Sequence, residues 1–169
     1  MLNGKKVLLI ITGGIAAYKS LELVRKLKEK GAEIIPVMTK AAENFVTPMS
    51  VSALAKEKVY KELFDLTDEA EMGHIELSRS ADLIVVVPAS ADFIAKTSTG
   101  QANDLASTLI LATDTKVLMA PAMNVRMWEN PLVQKNIKTL DKNGIKFVGP
   151  EEGEMACGEF GFGRMAETG

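Results

Sequence analysis

The stretch KVLLIITGGIAAYKSLELVRKLKEKGAEIIPVM, residues 6–38, determines the fold class. It opens with an apolar run from Lys6 to Thr12, which is typical of a parallel strand buried on both faces. The pair Gly13-Gly14 ends that run, and apolar residues then recur at helical spacing as far as Gly31, a natural helix stop. A second apolar run occupies residues 34–38. The stretch therefore predicts one βαβ unit with a right-handed crossover.

The same alternation continues along the chain. Three further apolar runs predict strands, the first two closed by Pro88 and Pro121, and three amphipathic or apolar segments predict helices. The predicted strands are residues 83–87, 116–120 and 145–148, and the predicted helices are residues 48–54, 105–112 and 132–143. Alternating strands and helices favour an open, mostly parallel α/β sheet, doubly wound with helices on both faces. A length of 169 residues fits one such domain.

The tail, residues 149–169, differs from the rest of the chain. It holds six of the thirteen glycines and shows no apolar periodicity. A structureless segment of this length is expected to be either disordered or a functional flap. Because no further helix or strand is predicted there, we expect the chain to be a piece of a longer polypeptide.

Composition excludes several classes of function. The net charge of −2 offers no basic field for nucleic acid. The apolar run near the amino terminus is too short to span a bilayer and lacks a secretory cleavage site. The single cysteine, Cys157, cannot form an intrachain disulfide. We therefore expect a cytoplasmic protein that binds neither nucleic acid nor a membrane.

The turn TGGIAAYK, residues 12–19, is the first candidate binding site. A glycine turn between a strand and a helix directs backbone N–H groups and the positive end of the helix dipole towards one point, which suits a phosphate. The dinucleotide motif GxGxxG is absent, and Thr39 follows the second strand where an NAD site would have an acidic residue. A nicotinamide dehydrogenase is thus disfavoured. Gly13 and Gly14 could equally serve packing alone.

A second candidate, PASAD at residues 88–92, follows a central strand at the edge where open α/β sheets bind ligands. Small residues would let a flat ring lie against the backbone, and Ser90 and Asp92 could bond its polar edge. An ordinary helix cap explains these residues as well.

Two further blocks carry polar side chains suited to catalysis. MGHIEL, residues 72–77, contains the chain's only histidine, His74. Histidine is the natural general base near neutral pH, although a lone histidine is more often structural. With no second histidine and no other cysteine nearby, we expect no transition-metal site. In APAMNVRMW, residues 120–128, Asn124 could cap the next helix, which is the default, or reach into a ligand cleft.

The last block is EMACGEFGFGRM, residues 154–165. It places Cys157 in a glycine-rich stretch that a hydrophobic core does not require. Glycines would allow such a loop to close over a ligand and open again. The alternative is an incidental thiol in a disordered tail.

Together the five blocks resemble the phosphopantothenoylcysteine decarboxylases, within the homo-oligomeric flavin-containing cysteine decarboxylases. The resemblance covers residues 5–165. Its most specific parts are Met72-Gly73-His74-Ile75, Pro121-Ala122-Met123-Asn124 and Ala156-Cys157-Gly158-Glu159. Each motif is weak alone, but the three in this order on a doubly wound sheet are a strong indication. The fold implied is of the Rossmann or flavodoxin type with a C-terminal flap at residues 150–165.

The resemblance also implies the site. It implies a base at His74, a contact to the substrate carboxylate at Asn124 and a proton donor at Cys157. The cofactor implied is FMN, with the following residues expected to bind it: Gly13, Gly14, Ile15, Thr39, Phe45, Pro88, Ala89, Ser90, Asp92 and Ser107. The substrate-binding residues expected are Met123, Asn124, Ala156 and Arg164. Many relatives have asparagine where Asp92 stands, which weakens the expected bond to the flavin edge there.

The activity implied is FMN-dependent decarboxylation of 4'-phospho-N-pantothenoylcysteine to 4'-phosphopantetheine in coenzyme A biosynthesis. The thiol carbon would first be oxidised to a thioaldehyde, which accepts the electrons released with carbon dioxide and leaves an enethiol. Family members form homotrimers, often assembled into dodecamers, with the active site at subunit contacts. In bacterial and archaeal members a ligase domain commonly follows, here beyond residue 169.

Three rival functions remain on the sequence alone. A peptidyl-cysteine decarboxylase would share the histidine and asparagine blocks, so the Ala156-Cys157-Gly158 stretch discriminates against it. A flavin prenyltransferase should lack both the Pro-Ala-Met-Asn block and the flap cysteine. A catalytically silent FMN-binding subunit would be favoured by loss of His74 or Cys157, and both are present.

Overall fold

The structure, a computed structural model, describes residues 1–64 and 73–169. Met72, from the histidine block, lies outside the described residues. The strands are β1 (Lys6–Ile11), β2 (Glu33–Met38), β3 (Leu83–Ala89), β4 (Val117–Pro121), β5 (Lys146–Phe147), β6 (Glu151–Glu154) and β7 (Phe160–Arg164). The α-helices are α1 (Tyr18–Glu29), α2 (Pro48–Ala55), α3 (His74–Ser80), α4 (Ala91–Ser98), α5 (Leu105–Ala112), α6 (Val125–Glu129) and α7 (Pro131–Lys142). Short 3-10 helices span Ile15–Ala17 and Ala41–Asn44.

Five strands form one parallel sheet in the order β2-β1-β3-β4-β5. This is the flavodoxin-like order of a doubly wound α/β fold, so the predicted fold class is confirmed. The order reverses between β1 and β3, and folds of this type bind ligands at that point, beside the carboxyl ends of the strands. The blocks at residues 12–19, 88–92 and 120–124 all lie at the carboxyl ends of strands at this edge.

Two hydrophobic clusters cover the two faces of the sheet. Along β1, Leu8 and Ile10 belong to one cluster, whereas Leu9 and Ile11 belong to the other. All four side chains are fully buried. A strand that contributes to two cores has no polar face, which is why its sequence is continuously apolar.

The sequence predicted that Pro88 and Pro121 would close their strands, and β4 does end at Pro121, whereas β3 continues one residue past Pro88. β3 continues through Pro88 to Ala89, and β4 includes Pro121. The pairing of β1 with β3 extends only to Val86, and the register between β3 and β4 shifts between Val86 and Ala89. Because proline has no N–H to donate, it is accommodated where the ladder is already irregular.

The tail contains two strands, β6 and β7. The sequence predicted no strand there, and that prediction was wrong. β6 and β7 pair antiparallel as a hairpin. After the hairpin, Met165 and Ala166 are buried, and Met165 belongs to one of the two main clusters. Within the described residues, no helix is both long enough and apolar enough to cross a membrane.

Candidate functional site

A buried hydroxyl joins the first two candidate blocks. Thr12 follows β1 directly, and its Oγ1 donates to the Pro88 carbonyl at 2.5 Å. The same oxygen accepts from the Ser90 N–H at 3.0 Å. Thr12 is only 1% exposed, so these bonds are shielded from water. This residue, to which the sequence prediction gave no role, fixes the glycine turn against the end of β3.

The two glycines of the turn have different surroundings. A Cβ on Gly13 would lie 2.7 Å from the Cβ of Ala41, so this glycine is required for close packing against the 3-10 helix Ala41–Asn44. A Cβ on Gly14 would meet nothing nearer than Pro88 Cγ at 3.9 Å. Packing within the chain therefore explains Gly13, whereas at Gly14 the backbone borders open space.

The helical segment that follows the turn presents an N-terminus suited to an anion. The 3-10 helix Ile15–Ala17 leads directly into α1, and neither has an acidic residue in its first turn. No carboxylate therefore competes with a bound anion for the N–H groups and the positive end of the dipole. Thr39, at the end of β2, lies next to the end of β1, since its N–H donates to the Ile11 carbonyl at 3.0 Å.

Ser90 and Asn124 both cap helices. Ser90 Oγ accepts from the Phe93 N–H at 3.1 Å and begins α4. Asn124 Oδ1 accepts from the Met127 N–H at 2.9 Å and begins α6. Capping satisfies only the oxygen of the asparagine amide. Its amino group retains two donors, so the cap leaves Asn124 able to bind a ligand as well.

The hairpin lies against the segment around Asn124 because two of its residues are glycines. A Cβ on Gly163 would lie 2.2 Å from the Met123 carbonyl oxygen, and one on Gly161 would lie 3.0 Å from a Val125 methyl carbon. The Met123 N–H donates to the Gly163 carbonyl at 2.9 Å. The glycines of β7 thus permit close backbone packing, in addition to any flexibility they provide.

Cys157 lies at the tip of the hairpin, residues 155–159. The Gly158 N–H donates to the Met155 carbonyl at 2.9 Å, and the Met155 N–H donates to the Glu159 carbonyl at 2.7 Å. Gly158 has φ +87°, the left-handed conformation expected in a three-residue hairpin loop. Cys157 is exposed at this tip.

The glycine turn, the Asn124 segment and the hairpin enclose a cleft of about 610 Å³. Its sheet wall comprises residues 14–16, 18, 19 and 122–124, and its hairpin wall comprises residues 154–157 and 163–165. Seven of the predicted site residues line it: Gly14, Ile15, Met123, Asn124, Ala156, Cys157 and Arg164. The volume is in the range of small-molecule sites.

The sequence prediction missed a buried cation in this cleft. Lys19 is only 5% exposed, and its Nζ donates to the Met165 carbonyl at 3.0 Å and to Glu167 Oε1 at 3.1 Å. Arg164 Nη2 donates to the same Glu167 oxygen at 3.1 Å. The available signal was a lysine beside Ala17 and Ser20, on the packed face of an amphipathic helix.

The remaining predicted residues do not line the cleft. Gly13, Thr39, Pro88, Ala89 and Ser90 lie at the same sheet edge, with Pro88 and Ala89 buried within β3. Phe45 and Asp92 are exposed, at the end of a 3-10 helix and in the first turn of α4 respectively.

Ser107 and His74 belong to other helices. Ser107 is buried in α5, where it forms a reciprocal capping box with Asp104. His74 is the first residue of α3, a helix that packs on α5. One copy of the chain therefore does not bring His74 to the cleft with Cys157. The binding and catalytic roles of all these residues remain predictions.

The fold defines the class as a flavodoxin-like α/β protein, with a cleft at the carboxyl edge of its parallel sheet. A protein-family model described as Flavoprotein matches residues 1–169. The chain belongs to the Flavoprotein family.

Known proteins share both sequence and fold with this chain. The coenzyme A biosynthesis bifunctional protein CoaBC of Vibrio vulnificus is 53% identical over 166 residues, which are 98% of this chain and 41% of that protein. This chain thus spans about two fifths of the length of that relative. A PPC decarboxylase mutant complexed with pantothenoylaminoethenethiol is 32% identical with a TM-score of 0.83, covering 97% of this chain and 92% of that one. The FMN-dependent cysteine decarboxylase SpaF is 29% identical with a TM-score of 0.83, covering 95% and 91% respectively.

Proposed function

We propose that this chain is an FMN-dependent decarboxylase domain that converts 4'-phospho-N-pantothenoylcysteine to 4'-phosphopantetheine in coenzyme A biosynthesis. The observation that carries the proposal is the cleft, which Asn124, Cys157 and the glycine turn all line. Relatives named as coenzyme A biosynthesis and PPC decarboxylase proteins support the choice of substrate.

The sheet edge fits FMN. A phosphate would bind at the N-terminus of the helical segment that begins at Ile15, where no acidic side chain competes and Gly14 leaves the backbone accessible. The other FMN-binding residues proposed lie along the same edge or beyond it: Gly13, Thr39, Phe45, Pro88, Ala89, Ser90, Asp92 and Ser107. When bound, FMN supplies reversible hydride transfer, without which a cysteine carboxylate has no acceptor for the electrons that carbon dioxide leaves behind.

Asn124 would hold the substrate carboxylate through its amino group. Because Oδ1 is fixed by the Met127 N–H, the amino group is the part of the amide that can donate into the cleft. A neutral donor binds the carboxylate without pairing its charge, so the developing neutral carbon dioxide is not retained. Met123, Ala156 and Arg164 would complete the substrate contacts.

Cys157 would supply the proton that completes the product. A cysteine thiol carries a proton that it can transfer to carbon as a general acid. Its place at the exposed tip lets it approach the reacting carbon while the base of the hairpin stays fixed by Met165 in the core. Residues 150–165 would thus act as a substrate flap that moves at its tip.

His74 would accept the substrate thiol proton from a neighbouring copy of the chain. It lies on α3, outside the cleft that holds Cys157, so a complete site requires a second subunit. We propose a cytoplasmic homotrimer, or a dodecamer of trimers, in which each cleft receives a histidine from its neighbour. A ligase domain would follow residue 169, in keeping with the greater length of the bifunctional relatives.

The direct experiment is to record the absorption spectrum of the purified protein and then add phosphopantothenoylcysteine. We expect a yellow protein with flavin bands and release of carbon dioxide. A peptide ending in cysteine serves as the rival substrate and should not react. Colourless protein that does not take up added FMN would contradict the proposal.

Mixing inactive variants tests the shared site. His74→Asn and Cys157→Ser should each be inactive alone while retaining bound flavin. When the two are mixed and allowed to exchange subunits, some clefts receive one intact histidine and one intact cysteine. Activity should then return to a fraction of the wild-type value. If His74 and Cys157 act within one copy, the mixture stays inactive.

A further inference from the structure

Two cations that line the cleft share one carboxylate outside it. Lys19 Nζ and Arg164 Nη2 each lie 3.1 Å from Oε1 of Glu167. Both cations line the cleft, whereas Glu167 stands behind them and is half exposed. The backbone N–H of Glu167 is itself held by Glu151 Oε1 at 3.3 Å. Glu167 therefore connects α1, the strand β7 and the start of β6.

Because Lys19 is buried, its ammonium group depends on the Glu167 carboxylate for compensation of its charge. A lysine side chain that is 6% exposed requires compensation for the hydration its ammonium group has lost. Two acceptors provide it, the Met165 carbonyl and Glu167, and only Glu167 is charged. Without that charge, Lys19 would gain most by turning towards the cleft, where water or an anionic ligand can solvate it.

We propose that Glu167 is a positioning residue, a counter-ion that holds Lys19 and Arg164 in the cleft wall and limits the attraction of the cleft for carboxylates. This inference rests on the proposed function. A decarboxylase gains nothing from binding a substrate carboxylate too strongly, because that group becomes neutral carbon dioxide in the transition state. Asn124 provides a neutral contact for the substrate carboxylate. By pairing with Lys19 and Arg164, Glu167 prevents these two cations from forming ion pairs with that carboxylate in its place.

The test is Glu167→Gln with two ligands that cannot react, phosphopantothenoylserine and its decarboxylated ethanolamine counterpart. A hydroxyl in place of the thiol prevents oxidation, so binding is measured without turnover. The substitution adds one net positive charge to the cleft wall, and the preference for the carboxylate ligand should rise roughly fivefold at low salt. With the true substrate, KM and kcat should fall together.

The matched control is Glu22→Gln. Glu22 pairs with Lys26 Nζ at 3.1 Å on the same helix, and neither residue lines the cleft. This variant changes the net charge of the protein by the same amount, so the ligand preference should remain at the wild-type value.

A second readout does not depend on the ligands. Limited lysine acetylation, followed by peptide mass spectrometry, should modify the buried Lys19 severalfold faster in Glu167→Gln, whereas Glu22→Gln should accelerate only Lys26. Unchanged Lys19 acetylation would overturn the positioning role, and an unchanged ligand preference would overturn the limit on carboxylate attraction. If the wild type binds neither ligand while Lys19 acetylation still rises, the proposed substrate is wrong and the positioning role stands.

Discussion

The two walls of the cleft hold their polar groups in different ways. On the sheet wall, Asn124 is fixed by a helix-capping hydrogen bond. The glycine turn is fixed to β3 by the hydrogen bond from Thr12 to the Pro88 carbonyl. On the hairpin wall, backbone packing of Gly161 and Gly163 holds the strand, while Cys157 at the tip is exposed. The sheet wall therefore fixes its polar groups by hydrogen bonds, whereas the hairpin wall leaves the Cys157 side chain exposed at its tip.

This difference predicts how each region responds to substitution. Groups at the exposed tip can be changed with little loss of stability, whereas contacts at the base of the hairpin and in the caps also maintain the fold. Four substitutions, with their controls, test this separation of roles.

The largest effect is expected at the tip. Cys157→Ser replaces the thiol by a much weaker acid and should lower product formation by roughly 10²- to 10⁴-fold, the usual contribution of general acid catalysis. The oxidised, decarboxylated enethiol should accumulate, lighter than the product by two hydrogen atoms in the mass spectrum. The melting temperature should not change, since the side chain is exposed. Full turnover would remove Cys157 from the mechanism.

On the sheet wall, Asn124→Asp separates the cap from ligand binding. Aspartate is as good an N-cap as asparagine, so α6 should keep its stability. The substitution replaces the donor with a negative charge facing the substrate carboxylate, and kcat/KM should fall by roughly 100-fold. Thermal melts and the carbon dioxide assay measure the two effects. A large loss of stability would show that the Asn124 amide stabilises the fold through contacts other than the helix cap.

At the base of the hairpin, Gly163→Ala should disrupt the packing of β7 against the segment that contains Met123. Its Cβ would approach the Met123 carbonyl to 2.2 Å at φ +138°, so β7 must move away. We expect a loss of roughly 2–3 kcal/mol in unfolding free energy, measured by denaturant titration. Gly100→Ala is the control, since Gly100 has φ +71° with nothing within 4 Å, and should lose only about 1 kcal/mol. Equal losses would mean that backbone strain alone explains both.

The smallest effect is expected away from both walls, at the cap of α5. Burial tends to raise the pKa of Asp104, but hydrogen bonds from Ser107 and the charge of Lys96 outweigh it, so this pKa lies below its usual value. The charge therefore stabilises the fold above the unfolded-state pKa of about 4, and this contribution is lost as the pH falls through the lower folded value.

Asp104→Asn keeps the cap and removes the charge, which should cost less than about 1 kcal/mol at pH 7. Melting temperatures of the wild type and variant should converge as the pH falls below about 4. A constant difference across that range would assign the effect to the cap geometry and not to the charge.

Much of the fold could be predicted because it follows from local patterns. Thr47 caps α2 with Pro48 at its first position, and Asp104 caps α5 close to where the sequence placed these helix starts. The extension of β3 past Pro88 and the hairpin in the tail were not predicted. Their positions depend on contacts across the chain, such as the irregular ladder at Pro88 and the close approach of Gly163 to Met123.

The tail did carry an overlooked signal. Ala156-Cys157-Gly158 is a three-residue loop with glycine in the left-handed position, flanked by segments able to pair. Because glycines occupied the strand positions as well, the pairing segments showed no apolar alternation. The glycines face neighbouring backbone and side chains in place of a hydrophobic core, and sequence periodicity cannot reveal that contact.

The sequence by itself determined the parallel α/β sheet, the glycine turn and the chemical groups available at its edge, because strand burial, helix amphipathicity and caps are properties of neighbouring residues. Only the tertiary structure decided which of those groups meet. Lys19 meets Arg164 and Glu167, which lie far from it in sequence, and His74 lies outside the cleft that Asn124 and Cys157 share. These contacts depend on how the hairpin packs on the sheet. Local sequence patterns do not show which distant residues come into contact.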